Sequence, residues 1–503
     1  MPSSALTYRP DVDFLRAVAV ISVIGFHWQL GLPGGYVGVD IFFVISGYLI
    51  TSLIAAEIGA GTFSFVQFYA RRIRRILPAL YAMLAILLIV SWFVLLPSDY
   101  INLFQETLAT TGFVSNILFW LQAGYFERTA NDRPLLHTWS LSVEEQFYIV
   151  FPLLLWFLLR KGPASSNRAR NVLLAVTAAS FALGLYQVMF HPTAAFFLAP
   201  GRIWELLLGA LLALKAVPAP RSRGARYAAL GVGSALIVIA VIIYRDGTPF
   251  PGINALLPCL GAALIIWAGE TGNEAAPDHL LLRSGAAIGR VSYSLYLWHW
   301  PAFVYAKVWF GEIGALTPIH KAIALALVVA FSVASYFWIE LPIRRRQWLA
   351  SRRALFAATG AATILLMAPT ALGLVAKGFP ERLAAEALRI ASYADYDHRS
   401  VYRSGTCFLS AEQRADAYDV THCWPEKGNG KEKMVLLWGD SHAAHYVPGL
   451  EALFKGSSFR LAQATASACP PIFGVTIGGR PHCGEFNDLV RELIRARKPD
   501  LVL

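Results

Sequence analysis

Charge is scarce in this chain. Lys, Arg, Asp and Glu supply 15% of its 503 residues, against about 25% in a soluble globular protein, so an ordinary soluble fold is excluded. Cysteine is scarcer, at five, and no Cys/His spacing suggests zinc, so no metal site is expected. Acidic residues are short relative to basic ones, 32 against 43, for a net charge of +11. A cleavable signal peptide is missing as well. The first apolar segment contains Arg16 and His27 and lacks a small-residue cleavage site.

What the chain does hold is apolar sequence in blocks: 56% of residues are hydrophobic and the mean hydropathy is +0.51. The run 78–97 is long enough to cross a bilayer core, which takes about 20 helical residues. Eleven spans can be read, near 12–30, 37–56, 78–97, 143–159, 171–190, 202–216, 227–244, 254–269, 290–309, 320–340 and 354–375. With the N-terminus in the cytoplasm, the inside loops carry Arg71, Arg72, Arg74 and Arg75, then Arg160, Lys161, Arg168 and Arg170. Lys215, Arg221, Arg223 and Arg226 follow, and Arg344, Arg345, Arg346, Arg352 and Arg353 complete the set. The outside loops 31–36, 191–201 and 310–319 hold no Lys or Arg. That asymmetry is the positive-inside pattern, and it accounts for the basic balance without a nucleic-acid partner. Segment 101–121 carries Asn102, Gln105, Glu106 and Asn116, and counting it as a span would turn basic loops outward. Residues 98–142 therefore read as an outer-face excursion.

The same topology places everything after 374 outside the cytoplasm. Cys407, Cys423, Cys469 and Cys483 all fall there, which suits two disulfides in an oxidising compartment. Pairing of nearest neighbours (Cys407–Cys423, Cys469–Cys483) is one of three connectivities, preferred for its short loops.

Several ionisable residues stand where they are costly. Arg16 and His27 lie inside the first span, and a central Arg costs about 2.5–3.5 kcal/mol on insertion scales. Their eleven-residue spacing is close to three helical turns, so both project from one face, roughly 16 Å apart along the axis. The bland alternative is a snorkelling Arg and a His bonded within the bundle. Glu340 precedes Leu341-Pro342 at the inner end of the tenth span. The five-residue run 71–75 holds four arginines, which serve either as headgroup anchors or as a cradle for a phosphate-rich ligand. In 134–148, Ser142 with Glu145 three residues on reads as a capping box, leaving His137 and Glu144 as outer-side candidates. His299 sits in the aromatic run 293–300, whose rings read as an interfacial belt.

Taken in order, Tyr8-Arg9-Pro10 with Asp13, the Arg16-to-His27 spacing, the run 42–48 (Phe-Phe-Val-Ile-Ser-Gly-Tyr), the arginines of 71–75 and Ser294-Leu-Tyr-Leu-Trp-His299 form a set. Over about residues 6–345 the chain resembles the acyltransferase-3 family of membrane acyltransferases. The resemblance implies transfer of an acyl group, usually acetyl from acetyl-CoA, to an extracytoplasmic carbohydrate. It also implies that Arg16 and His27 are the essential pair, that the arginine cluster contacts the nucleotide-containing donor, and that Glu340 belongs to a functional Glu-x-Pro element.

Beyond a polar extension, 377–430, an apolar strand runs into Trp438-Gly439-Asp440-Ser441-His442. A strand, a tight turn that exposes Ser and a following helix suit presentation of a nucleophile. The block resembles the first block of SGNH-type hydrolases, in which this Ser is the nucleophile. Such domains are fused to acyltransferase-3 domains in O-antigen O-acetyltransferases. The late Asp-x-x-His block of that family does not occur after Ser441, and His442 and His445 are too near in sequence to be assumed substitutes. The expectation is a truncated domain.

The sequence therefore predicts a polytopic all-α bundle of about 11 spans over 1–376, an extension over 377–430 and an incomplete α/β SGNH-like domain over 431–503. The expected location is a bacterial inner membrane with the last domain periplasmic. Expected partners are acyl-CoA as donor, a polysaccharide or glycolipid acceptor such as lipopolysaccharide O-antigen, and the bilayer. Two rivals stand beside this reading: an ion- or acyl-coupled transporter, and a membrane-anchored carbohydrate esterase.

Overall fold

The computed structural model describes residues 8–123, 132–160, 165–270, 280–311, 313–392, 397–426, 432–475, 477 and 480–503. Lys161, counted among the inside cations, lies outside these. The chain forms two compact units, one running to Pro380 and the other from Glu381 to Leu503.

All the secondary structure described in the first unit is helical. In chain order it contains α1 (Pro10–His27), α2 (Gly38–Gly59), α3 (Phe65–Val94), α4 (Pro97–Thr111), α5 (Ser115–Leu121), α6 (Thr138–Leu159), α7 (Ser165–Phe190) and α8 (Pro192–Phe197). Then come α9 (Ile203–Ala213), α10 (Arg223–Ile243), α11 (Leu256–Ala268), α12 (Leu280–Phe310), α13 (Pro318–Ser335), α14 (Leu341–Arg344) and α15 (Arg352–Val375). By length and apolarity seven helical stretches among the described residues can cross a membrane: those ending at Gly59, Val94, Leu159, Phe190, Ile243, Arg344 and Val375. The other four segments of the eleven-span reading are α1, α9, α11 and α12. Two of them, α9 and α11, are short, with 11 and 13 residues. Helix α1 carries Asp11, Asp13 and Arg16 within 18 residues, and α12 carries Arg283, Arg290 and Lys307. Helices α1 and α12 pack along each other, with Arg16 buried and Arg283 and Arg290 exposed. The excursion 98–142 is built from α4 and α5, with α4 packed on α15 and α5 on α6.

Glycine permits a close crossing of α2 and α9. Helices α2 and α9 meet backbone to backbone at Gly47 and Gly209. A Cβ on Gly47 would stand 2.6 Å from the Leu206 carbonyl carbon, and one on Gly209 would stand 2.7 Å from the Tyr48 nitrogen. Only a residue without a side chain permits that approach.

Two readings of local structure change. The arginine run 71–75 is not a loop, because α3 starts six residues earlier, where the Ser64 side chain accepts the Gln67 backbone N–H. The capping box at Ser142 does not form. Helix α6 begins at Thr138, its N-cap is His137, and Ser142 is already inside it. The Ser142 hydroxyl is used across the bundle, 2.8 Å from the Ser115 hydroxyl.

The second unit contains α16 (Ala385–Ala391), α17 (His398–Val401), β1 (Phe408–Leu409), α18 (Val420–Cys423), β2 (Lys433–Gly439), α19 (Ser441–Ala444), α20 (Val447–Phe454), β3 (Phe459–Ala466), α21 (Cys483–Arg497) and β4 (Leu501–Val502). Its four strands form one parallel sheet in the order β1-β3-β2-β4. The inward residues Met434, Leu436, Ala462 and Ala464 pack against Tyr418, Trp424 and Phe486. The extension 377–430 is therefore not all linker. From about 407 it supplies a strand and part of this core, because Cys407, Leu409 and Trp424 are buried among the apolar faces of β2 and β3. Disulfides join Cys407 to Cys423 and Cys469 to Cys483, with Cα separations of 5.3 and 5.4 Å.

Candidate active site

Three clusters of polar residues lie inside the helical unit. The first is a cavity of about 100 Å³ between α1, α2, α3, α6 and α12. Arg16, Arg72 and Arg75 reach its wall, with Ser46, Glu144, Tyr148 and Tyr296 among the other lining residues. Arg16 also pairs with Asp13 at 3.3 Å. Arg72 lies 6.0 Å from the centres of the Phe68 and Tyr148 rings, a cation–π arrangement. Ser46 donates a hydrogen bond to Glu144 across 98 residues of sequence. Glu144 was expected on the outer side; the structure instead places it in the same cavity as the arginines, two helical turns into α6.

Helical periodicity divides the arginine run. Positions 72 and 75 are three apart and share the cavity face. Arg71 pairs with Glu57 at 2.9 Å, and Arg74 donates to the Leu349 and Ala350 carbonyls at 3.3 and 3.2 Å. Both line a separate cleft with Arg346 and Arg352. Glu340 is fully buried, at the end of a π-helical turn, Tyr336–Glu340, that packs on α3. Such turns recur at functional sites. Glu340 accepts from Arg344 at 2.7 Å and from the Ser294 hydroxyl at 3.2 Å.

The second cluster is histidine. His27, at the end of α1, places Nδ1 3.1 Å from Nε2 of His299 on α12. The two rings are 18° from parallel. Trp300 meets His27 edge-on at 4.6 Å between ring centres. The His137 ring lies 5.8 Å from His299 and 5.5 Å from Tyr296. Three histidines far apart in sequence thus share one place. The aromatic run 293–300 is no interfacial belt: Trp298 and Trp300 are buried, and the Trp300 indole donates to the Arg133 carbonyl at 2.7 Å. Tyr296 bridges the two clusters. It lines the arginine cavity, while its hydroxyl donates to the His137 carbonyl at 2.8 Å.

The third cluster is absent from the sequence expectations. Arg202, Asp40 and Glu205 are all buried, with Arg202 bound to Asp40 at 2.6 Å and to Glu205 at 2.8 Å. Its guanidinium also lies 5.4 Å from the centre of the Phe43 ring and 5.1 Å from that of Trp139. Asp40, Glu205 and Cys259 could together face a cation, but Arg202 already supplies one there. The available signal was charge within apolar segments; it was read for Arg16 and His27 but not for these three.

In the second unit, β2 ends at Gly439 and Ser441 opens α19. Asp440 caps that turn by accepting the His442 N–H at 2.9 Å. His442 and His445 are exposed; His445 contacts the Tyr402 hydroxyl at 3.5 Å.

Comparison with known proteins agrees with this division. The acyltransferase domain of the acyltransferase-3 family matches residues 9–338, and the SGNH domain that is fused to such domains matches residues 406–503. The chain is 34% identical over 337 residues to the provisionally named membrane-bound transacylase BcsY of Komagataeibacter xylinus, covering 66% of this chain and 82% of that protein. It is 33% identical over 369 residues to the provisionally named peptidoglycan O-acetyltransferase YrhL of Bacillus subtilis, covering 69% of this chain and 57% of the other. It is 32% identical over 384 residues to the O-acetyltransferase OatA of Staphylococcus aureus, covering 72% and 62%. The matches thus span less than two thirds of the latter two relatives. No solved structure matches the chain. A helical membrane unit and a small parallel-sheet unit, each matched by its own family, make this chain a member of the acyltransferase-3 family, a membrane O-acyltransferase fused to an SGNH domain.

Proposed function

We propose that this protein transfers an acetyl group from acetyl-CoA, taken from the cytoplasm, to a hydroxyl of an extracytoplasmic polysaccharide in a bacterial inner membrane. The observation that carries the reading is the layout of α1 against α12. Arg16 faces a cavity shared with Arg72 and Arg75, and His27, further along α1, meets His299. Guanidinium groups suit the phosphates of a CoA donor, and an imidazole suits proton transfer near neutral pH. The donor's phosphates rest on Arg16, Arg72 and Arg75, and its thioester reaches past Tyr296 toward His27. The acceptor hydroxyl attacks the thioester carbonyl carbon, forming a C–O bond as the C–S bond breaks. His27 takes the hydroxyl proton and returns it to the departing thiolate. Glu144 and Glu340 hold the polar walls in place through Ser46 and through Arg344 and Ser294. Ser441, at the start of α19 after β2, is the candidate nucleophile of the SGNH domain. The acceptor follows the wording of the relatives only as far as a cell-surface polysaccharide: lipopolysaccharide O-antigen is the sequence reading, and peptidoglycan is what the name of YrhL offers.

The test is purified protein in proteoliposomes with radiolabelled acetyl-CoA and a panel of bacterial polysaccharides. Label should reach a polysaccharide with the parent protein and be lost with His27→Ala. Undiminished transfer by His27→Ala, in protein that elutes as the parent does, would move the chemistry away from the bundle.

A further inference from the structure

We propose that His299 is a positioning residue that fixes the tautomer of His27 and leaves Nε2 of His27 as its reacting nitrogen. The inference rests on the reading of His27 as the base, and it follows from two hydrogen bonds in sequence. His299 Nδ1 lies 2.6 Å from the Tyr296 carbonyl oxygen. A carbonyl only accepts, so Nδ1 of His299 carries the hydrogen. A neutral imidazole has one N–H, and Nε2 of His299 therefore presents a lone pair. The group facing that lone pair at 3.1 Å is Nδ1 of His27, which must donate. His27 is then the Nδ1–H tautomer, with its lone pair on Nε2, and that nitrogen makes no hydrogen bond to the described residues.

This arrangement is built to stay in place. His299 is fully buried on a helix whose own Tyr296 carbonyl, one turn back, holds the ring. The His27 ring is held edge-on by Trp300, and Trp300 is itself anchored through its indole N–H to the Arg133 carbonyl. When His27 accepts a proton at Nε2, its Nδ1–H bond to His299 becomes charge-assisted and strengthens. The dyad thus stabilises the imidazolium after proton transfer rather than the imidazole before it, which is the requirement for catalysis. The role is that of a carboxylate behind a catalytic histidine, filled here by a second imidazole backed by a backbone dipole. No carboxylate is hydrogen-bonded to either ring among the described residues. The fold carries the assignment in its layout: α12 supplies the carbonyl, the acceptor imidazole and the Trp300 clamp within five residues.

The experiment compares His299→Leu, His299→Gln, His27→Ala and the His27→Ala/His299→Leu double variant in the same proteoliposome assay, with acetyl-CoA concentration varied. His299→Leu should lower kcat about 100-fold, the lower end of what general-base catalysis contributes, and leave the KM for acetyl-CoA within about twofold, since Arg16, Arg72 and Arg75 are untouched. Gln offers an amide oxygen that can accept from Nδ1–H, so His299→Gln should recover at least about tenfold of that loss. The double variant should be no slower than His27→Ala alone, because the two residues act as one unit. Equal losses in His299→Leu and His299→Gln, a kcat in His299→Leu within about twofold of the parent, or a further drop in the double variant would overturn the proposal. If His299→Leu fails to elute as the parent does, the decision passes to His299→Gln, for which a loss as large as that of His27→Ala would overturn it. Wild-type kcat in His27→Ala would instead remove the base reading on which the proposal stands, and that outcome is recognisable without any His299 variant.

Discussion

Substituting Gly47 by Ala tests how tightly the helical unit is specified. The added Cβ would lie 2.6 Å from the Leu206 carbonyl carbon, whereas ordinary contact begins at 3.4 Å. This contact alone requires helices α2 and α9 to separate by 3.4 − 2.6 = 0.8 Å, and the Leu206 carbonyl oxygen, nearer still to the added Cβ, requires more. The same two helices are tied by the 2.6 Å bond from Arg202 to Asp40, which would lengthen to about 2.6 + 0.8 = 3.4 Å if the separation is transmitted. Overpacking costs about 1–3 kcal/mol, and stretching the buried Arg202–Asp40 pair adds to it. We therefore expect Gly47→Ala to lose about 3 kcal/mol, seen as a fall of about 5 °C or more in a detergent-solubilised thermal melt. The displacement also reaches Ser46, so transfer activity should fall with stability. Gly360→Ala in α15 is the control: its Cβ meets nothing within 4 Å, and it should be neutral or slightly stabilising. A Gly47→Ala protein melting within about 1 °C of the parent, with unchanged activity, would refute the reasoning.

Arg202→Met should destabilise the unit by about 3–5 kcal/mol, because Asp40 and Glu205 would share a buried site without their cation. Adding Asp40→Asn and Glu205→Gln to it should recover most of that loss in the same melt. Reducing the two disulfides should cost the second unit about 3 kcal/mol each on a loop-closure basis, since they close 16 and 14 residues of sequence; mass spectrometry of protein purified without reductant should find all four thiols oxidised. In intact spheroplasts a membrane-impermeant thiol probe should label a cysteine placed at 441 and spare one placed at 345. The opposite pattern would invert the proposed topology.

Much of the architecture was readable because a membrane chain announces itself locally. Apolar blocks of fixed length and cysteines after the last block are both properties of short stretches. Arg16 and His27 stand out in the same local way, as ionisable residues within an apolar helix, and Ser441 does so by following its strand. What could not be read was who meets whom. Ser46 with Glu144 spans 98 positions, Arg202 with Asp40 162, and His27 with His299 272. Residues 42–48 were recognised as a motif, but nothing local says that Gly47 is there for α9. The capping box at Ser142 failed for a related reason. A serine with a glutamate three residues on is a fair start signal, yet the turns from Leu135 to Trp139 had already begun the helix, and tertiary partners claimed the serine.

The short helices α9 and α11 have a consequence for the bilayer itself. At 1.5 Å per residue, the 11 residues of α9 rise about 16 Å and the 13 of α11 about 20 Å, against a hydrocarbon thickness of about 30 Å. Both are enclosed by other helices: no residue of α9 is exposed, and in α11 only Leu260 is, so protein rather than lipid surrounds their short length. The bilayer therefore meets their longer neighbours, and the unit carries two short helices without thinning the lipid around it.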